Sequence, residues 1–240
     1  MDEDNLLVKK GRIFLTGFKD VMGRRFDPDY YSILYKKIHK KIEFGKYQTE
    51  KIGNNCLDVF SGKTPASSDY SELPTLYPIV KVGSYSNYMI DIEKIAYTKS
   101  KQQHSIQKGD IFVLSAAHQT EYVGKHIKYL ENTPMAATSF VGELICIRTD
   151  PKKLLSNFLF SLLNTEYYKT LINREKTGQT SHIYSKDIKN IEVPIPPIVK
   201  QNQIVEKIQE IRQSATKLQQ EAMKIIELAK QQVEQMILAN

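Results

Sequence analysis

Gly62-Lys63-Thr64 is the tail of a phosphate-cradling loop, and Asp187-Ile188-Lys189 is the tail of a metal-dependent DNA-cleavage motif. The first demands G-x-x-x-x-G-K-[ST], so that successive backbone N–H groups wrap the phosphates and the lysine opens a helix. Position 57 is Leu57, where that loop needs its first glycine, and Pro65 biases Thr64 toward extended backbone. The second motif is a tripeptide that arises by chance in a chain with 25% charged residues, although a nuclease using Asp187 and Lys189 stays open as an alternative. An aromatic-proline loop for base methylation is missing, because the lone Pro-Pro, Pro196-Pro197, is followed by Ile198. His39, His104, His118, His126 and His182 show no metal-site spacing, and Ser115 and Ser139 lack the G-x-S-x-G elbow. Cys56 and Cys146 lie too far apart in sequence to signal a disulfide framework or a thiolate site. These residues point to no catalytic centre, and neither a metal nor a cofactor is expected on this chain.

Three polar segments remain. Lys81-Val-Gly-Ser84-Tyr85-Ser-Asn87 follows one apolar run, and Ser115-Ala-Ala-His118-Gln119-Thr-Glu-Tyr-Val-Gly-Lys125 follows another. Thr177-Gly-Gln179-Thr180-Ser-His182 is the third, flanked by Lys176 and Lys186. Asn and Gln can bond adenine edges in pairs, Ser and Thr can contact bases or phosphates, and Lys neutralises phosphate. With a formal net charge of +7, such loops suit an anionic partner and favour nucleic-acid binding over chemistry.

The elements that must position these loops follow from periodicity. Leu76–Val82, Asp110–Leu114 and Leu144–Ile147 are short and rich in β-branched or aromatic residues, which predicts strands. Phe26-Asp27-Pro28-Asp29-Tyr30-Tyr31 reads as a turn into a helix over Tyr30–Lys41, and the apolar spacing of Leu155, Phe158, Leu159, Leu162 and Leu163 predicts a helix over Asn157–Ile172. After the extended Val193-Pro-Ile-Pro-Pro-Ile-Val199, residues 200–239 contain neither Gly nor Pro. Ile204, Ile208, Ile211, Ala215, Leu218, Ala222, Ile225, Ala229 and Met236 follow the four-three spacing of a heptad seam, with Gln232 in one core slot and Ile226 and Val233 widening the face. A helix of about forty residues runs about 60 Å, too long to lie on its own domain, so it wants a partner helix. The expected fold class is therefore α/β (α+β), a mixed globular domain followed by a long C-terminal coiled-coil helix. The acidic start and the lack of a long apolar run suggest a cytoplasmic protein with no membrane segment.

The order of these segments resembles the DNA specificity subunit of type I restriction-modification systems. Ile188-Lys-Asn-Ile-Glu-Val-Pro-Ile-Pro-Pro-Ile-Val-Lys-Gln-Asn-Gln-Ile-Val-Glu-Lys-Ile-Gln-Glu-Ile211 looks like that family's I-P-L-P-P-L-x-E-Q junction, with Lys200 where an acid is usual. Ile52-Gly53 through Phe60-Ser-Gly-Lys-Thr-Pro65 is similar to its opening L-G-D-I-x-x-G-x-T-P, and Gly109-Asp-Ile-Phe-Val-Leu-Ser115 with Val123-Gly-Lys125 to its G-D-I-L segment. Gly178 to Ile188 resembles a fourth stretch, and Arg25-Phe-Asp-Pro-Asp-Tyr-Tyr31 a segment found ahead of some such domains.

The resemblance implies an N-terminal helical extension over 1–45, one target recognition domain over 46–197 and an assembly helix over 198–240. It further implies a non-catalytic subunit that reads double-stranded DNA and directs DNA adenine methyltransferase subunits and a restriction motor subunit. S-adenosylmethionine, ATP and Mg would belong to those partners, with none bound by this chain. The family's full subunit carries two recognition domains and two long helices packed antiparallel, whereas this sequence carries one of each. A half-subunit that forms a homodimer through its helix restores the pattern; a truncated or silent half and the recognition region of a fused restriction-methylation enzyme are the alternatives. The residues expected to meet DNA are Lys63, Thr64, Lys81, Ser84, Tyr85, Asn87, His118, Gln119, Lys125, Gln179, Thr180, His182 and Lys186.

Overall fold

The computed structural model describes residues 17–22, 28–86, 89–132, 135–178 and 181–238. Two compact units are present, Met1–Ile198 and Val199–Asn240.

The first unit is organised by a four-stranded antiparallel sheet in the order β2 (Cys56–Ser61), β11 (Leu144–Thr149), β8 (Ile111–Leu114) and β9 (Ile127–Tyr129). All four residues of β8 are buried, as expected of a short apolar run covered on both faces. A second four-stranded sheet has the order β10 (Ser139–Phe140), β4 (Pro78–Val80), β7 (Ala96–Thr98) and β3 (Tyr70–Ser71), with β10 and β4 parallel. The core they share includes Ile79, Val80, Leu130, Leu144 and Cys146. Phe112 meets Phe140 edge-on at 5.2 Å between centroids.

Two small strand pairs complete the sheets: β5 (Tyr85–Ser86) with β6 (Met89–Ile90), and β1 (Thr49–Lys51) with β12 (Glu192–Pro194).

The glycine-aspartate-isoleucine segment has a structural role. Asp110, at 1% exposure, sits at the mouth of β8 and takes Arg148 of β11 through two hydrogen bonds, Nε to Oδ1 at 2.9 Å and Nη2 to Oδ2 at 2.7 Å. Arg148 also donates to the Ser105 carbonyl and lies over the Phe60 ring. The pair therefore ties two adjacent strands together and is enclosed by side chains that leave it little water.

The helices are a short turn α1 (Phe18–Val21), α2 (Ile33–Glu43), α3 (Ser156–Leu163), α4 (Glu166–Arg174), α5 (Ser185–Lys189) and α6 (Ile198–Leu238). The single helix expected over Asn157–Ile172 is two, because Asn164 ends the first. Its backbone N–H and side-chain Nδ2 both donate to the Phe160 carbonyl, and Thr165 Oγ1 caps the Leu162 carbonyl. The helix expected over Tyr30–Lys41 begins later: Pro28–Tyr31 is a 3-10 turn, and Phe26 and Asp27 lie outside the described residues. The α2 helix packs on α4. There Lys41 Nζ donates to the Tyr167 hydroxyl at 3.0 Å and the Arg174 guanidinium lies 3.8 Å from the Tyr30 ring centroid. The strand expected over Leu76–Val82 is shorter, Pro78–Val80, since Val82–Ser84 turns into a 3-10 helix.

The second unit is one helix. It starts directly after Pro197, where the missing N–H is no loss, and has no further Gly or Pro to stop it. Ile211 (59%), Leu218 (65%), Ile225 (66%) and Met236 (83%) of the seam are more than half exposed. Among the described residues, no helix is long and apolar enough to cross a membrane.

Candidate nucleic-acid interface

Strand register decides which loops meet. Ser61 pairs with Ile145 and Leu114 with Leu144, so β2 and β8 both leave the central sheet beside the entry of β11. Ile127 pairs with Val113, which brings the entry of β9 to the same end. Val141 N donates to the Val80 carbonyl at 3.1 Å, which sets the exit of β4 against the β10–β11 turn. Thr177 and His182 join the same end: His182 bridges both Thr177 and Ala116, and Ile183 N donates to the Ser115 carbonyl at 3.0 Å. Five connections far apart in sequence thus share one end of the sheet.

The side chains on this end divide by how free they are. Lys63 is exposed while its backbone N–H holds the Phe140 carbonyl at 3.1 Å. The Thr64 hydroxyl donates to Glu143 Oε2 at 2.7 Å and accepts from Gly142 N at 2.9 Å, so it braces the β10–β11 turn. Lys81 is exposed and its ammonium lies 4.7 Å from the Tyr70 ring centroid. His118, Gln119 and Lys125 are exposed. Lys176 Nζ donates to the Thr120 carbonyl at 2.9 Å, which fastens the loop after β8 to the end of α4. Burial and the nearby Lys125 lower its pKa, so this part of the surface already concentrates positive charge. His182 is half-buried and stacks with Tyr184, and Lys186 reaches over the Tyr184 ring at 5.7 Å.

Ser84 is a correction to the expected contacts. It is fully buried, its Oγ accepts from Lys81 N at 3.0 Å and donates to the Lys94 carbonyl at 2.7 Å, and it closes the turn that presents Lys81. Tyr85 opens strand β5. Asn87, Gln179 and Thr180 lie outside the described residues.

Two exposed rings, Tyr184 and Tyr122, stand outside the expected contacts, among which Tyr85 is the one tyrosine. Tyr184 is 50% and Tyr122 40% exposed, each within a few residues of a lysine. Interleaved Tyr and Lys are the available signal, since a ring edge and an ammonium together fit a sugar-phosphate backbone.

Neither chemical motif assembles. Asp187 Oδ2 accepts from Tyr184 N at 3.0 Å and so caps α5, while Lys189 Nζ sits 3.7 Å from Asp58 Oδ1. The two side chains serve different partners, and no group of three or more His, Cys, Asp or Glu among the described residues is placed to hold a metal ion. Burial raises both thiols, Cys56 to about 12 and Cys146 well above its ordinary value. Both therefore stay protonated at pH 8, and alkylation by iodoacetamide is expected at least ~100-fold slower in the folded chain than in urea.

The family model for the type I restriction modification DNA specificity domain matches residues 46–228. The chain is 28% identical over 135 residues to the putative type I restriction enzyme MjaX specificity subunit of Methanocaldococcus jannaschii, covering 53% of this chain and 31% of that protein. It is 25% identical over 117 residues to the type I restriction enzyme StySPI specificity subunit of Salmonella potsdam, covering 48% of this chain and 25% of that one. The chain thus spans a third or less of these curated relatives. Among solved structures, a chain from a study of complex assembly and conformational transition of the type I R-M system superposes with TM-score 0.61 at 19% identity, over 85% of this chain and 49% of that one. The HsdS subunit from Thermoanaerobacter tengcongensis gives 0.56 at 18% identity, over 78% and 44%. At such identities the structural likeness is one of fold. The family match, which runs from the first sheet into the long helix, carries the assignment: the chain belongs to the type I restriction modification DNA specificity domain family.

Proposed function

We propose that this chain reads one part of a duplex DNA sequence and does no chemistry of its own, acting as a half-subunit of a type I restriction-modification complex. The observation that carries the reading is the convergence of five loops at one end of the central sheet, with Lys63, Lys81, Lys125, Lys176 and Lys186 around His118, Gln119 and His182. Lysines at the rim neutralise phosphates and fix the register on the duplex, while the amide of Gln119 and the imidazoles face base edges. Residues 46–197 form the reading domain in this scheme, with 1–45 as its extension and 198–240 as the assembly helix.

The long helix pairs with the helix of a second copy, and methyltransferase subunits and a restriction motor join the resulting dimer. S-adenosylmethionine, ATP and Mg act on those partners. The setting is the cytoplasm, where the DNA is. Support for the pairing comes from the apolar stripe along α6, more than half exposed from Ile211 onward.

The test is a duplex library selected on the full chain, followed by salt titration of the selected site. Replacing Lys63, Lys81 and Lys125 together by Ala is expected to reduce the slope of log K against log salt by about 2.7, roughly 0.9 for each phosphate contact, and to leave the preferred sequence unchanged. Gln119→Ala is expected to relax one base pair by about 1–3 kcal/mol and leave the slope alone. An unchanged slope in the triple variant sinks the assignment of this end as the DNA surface.

A further inference from the structure

The side chains of α6 fix how the two helices meet, given the self-pairing read above. Large residues Ile204, Ile211, Leu218 and Ile225 occupy one set of seam slots, and three slots of the other set are Ala215, Ala222 and Ala229. In a parallel pair like slots meet, so thin alanine layers would alternate with thick isoleucine and leucine layers, and no single spacing of the helices suits both. Parallel pairing also sets Lys207 against Arg212 of the second copy on each flank. An antiparallel pair sets each alanine against a large residue and evens the layers.

Two antiparallel registers, one heptad apart, bury equal numbers of wholly apolar layers. In one, Ala222 faces Leu218 of the second copy. There Gln232 faces Ile208 between apolar layers, and Glu221 faces Glu221 of the second copy across the symmetry axis. A glutamine amide closed in without a partner and two like charges side by side both oppose that arrangement. In the other, Ala222 faces Ile211 of the second copy, Glu221 faces Ser214, and Gln232 falls opposite the other helix's first turn. It then ends the seam instead of interrupting it. Gln201 of that turn is buried in its own chain.

Within the antiparallel packing that the family resemblance already implies, we propose that a second copy of this chain takes the register that layers Ala222 on Ile211 and Ala215 on Leu218, with Gln232 and Glu221 excluding the neighbouring register. Glu221 and Gln232 are thus the specificity determinants of the pairing.

Cysteine cross-linking of the full chain under mild oxidation tests the register, with the unsubstituted chain as control for Cys56 and Cys146. Both of these thiols are covered or partly covered. The double variant Ile211→Cys/Ala222→Cys is expected to run as a covalent dimer in most of the sample, because facing seam positions bring Cβ atoms within disulfide reach. Ile211→Cys/Ala229→Cys is expected to stay uncoupled, and so is Ile211→Cys alone. Cross-linking of the Ala229 variant instead overturns the register, and cross-linking through Ile211→Cys alone overturns the direction. A chain that light scattering shows to be a dimer, yet that cross-links in none of the three, overturns the seam as the pairing surface. A monomer at all concentrations overturns the self-pairing reading and the register with it, and a helix supplied by another protein becomes the occupant. Glu221→Gln with Gln232→Leu removes both the like charges and the enclosed amide and is expected to admit the second register, read as new cross-linking in the Ala229 background.

Discussion

Asp110→Ala is expected to lower the free energy of unfolding by about 3 kcal/mol, the low end of the cost of breaking a buried ion pair. The carboxylate is 1% exposed and binds Arg148 twice, at 2.9 and 2.7 Å, while also accepting from Gln107 N at 2.7 Å. Removing it strands a guanidinium between β8 and β11 and orphans a backbone N–H. The Arg148 side chain is 20% exposed, so water relieves part of the penalty and the high end of the range is not reached. The measurement is the urea midpoint at unchanged slope. Asp110→Leu combined with Arg148→Met is expected to lose less than Asp110→Ala alone, because an apolar pair replaces the charge instead of leaving it unpaired. A loss below about 1 kcal/mol for Asp110→Ala would show that the pair contributes little to joining the strands.

Gly62→Ala is expected to cost about 3 kcal/mol as well and to weaken DNA binding at least ~10-fold. A Cβ there would lie 2.3 Å from the carbonyl oxygens of both Phe140 and Val141 and 2.6 Å from Phe140 Cδ2. Those oxygens are backbone and cannot rotate away. Gly62 N also holds the Leu144 carbonyl at 3.1 Å and Lys63 N the Phe140 carbonyl at 3.1 Å, so relief of the clash must pull Lys63 and the Glu143 turn apart. Gly83→Ala is the control. Its Cβ meets nothing within 4 Å, and a change within about 0.5 kcal/mol is expected. Equal behaviour of the two variants would mean that the sheet end tolerates displacement, and that Gly62 was not selected by close approach.

The strands and the long helix were legible because their signals are local. Ile111 to Leu114 is apolar at every position, and nothing after Pro197 interrupts α6. The helix break at Asn164 was not legible, since a side chain that caps the Phe160 carbonyl looks in sequence like one more polar residue on an amphipathic helix. The polar loops stand out as segments in the sequence, yet their meeting at one end depends on the register of β11 with β2 and β8, and sequence spacing does not give register. Ser84 shows the same limit at residue scale. A serine in a polar loop can face solvent or close the loop's own turn, and only the 2.7 Å bond to the Lys94 carbonyl decides. Gly62-Lys63-Thr64 shows it in reverse, for its glycine answers to two carbonyls behind it and its threonine to Glu143.

The pairing of β1 with β12 sets Thr49 opposite Pro194, so the polypeptide enters and leaves the strand-bearing part of the first unit through adjacent strands. Whatever is attached before Thr49 and after Pro194 is tied to one spot on its surface. The unit is therefore close to a closed ring of chain, and the position of its ends is a matter of convenience. A circular permutant that joins residues 48 and 195 by a short flexible linker and opens at the exposed Lys101 is expected to keep the same sheets and the same loops. A ring of this kind can be cut out and set into another tether without disturbing the end of the sheet where the loops meet.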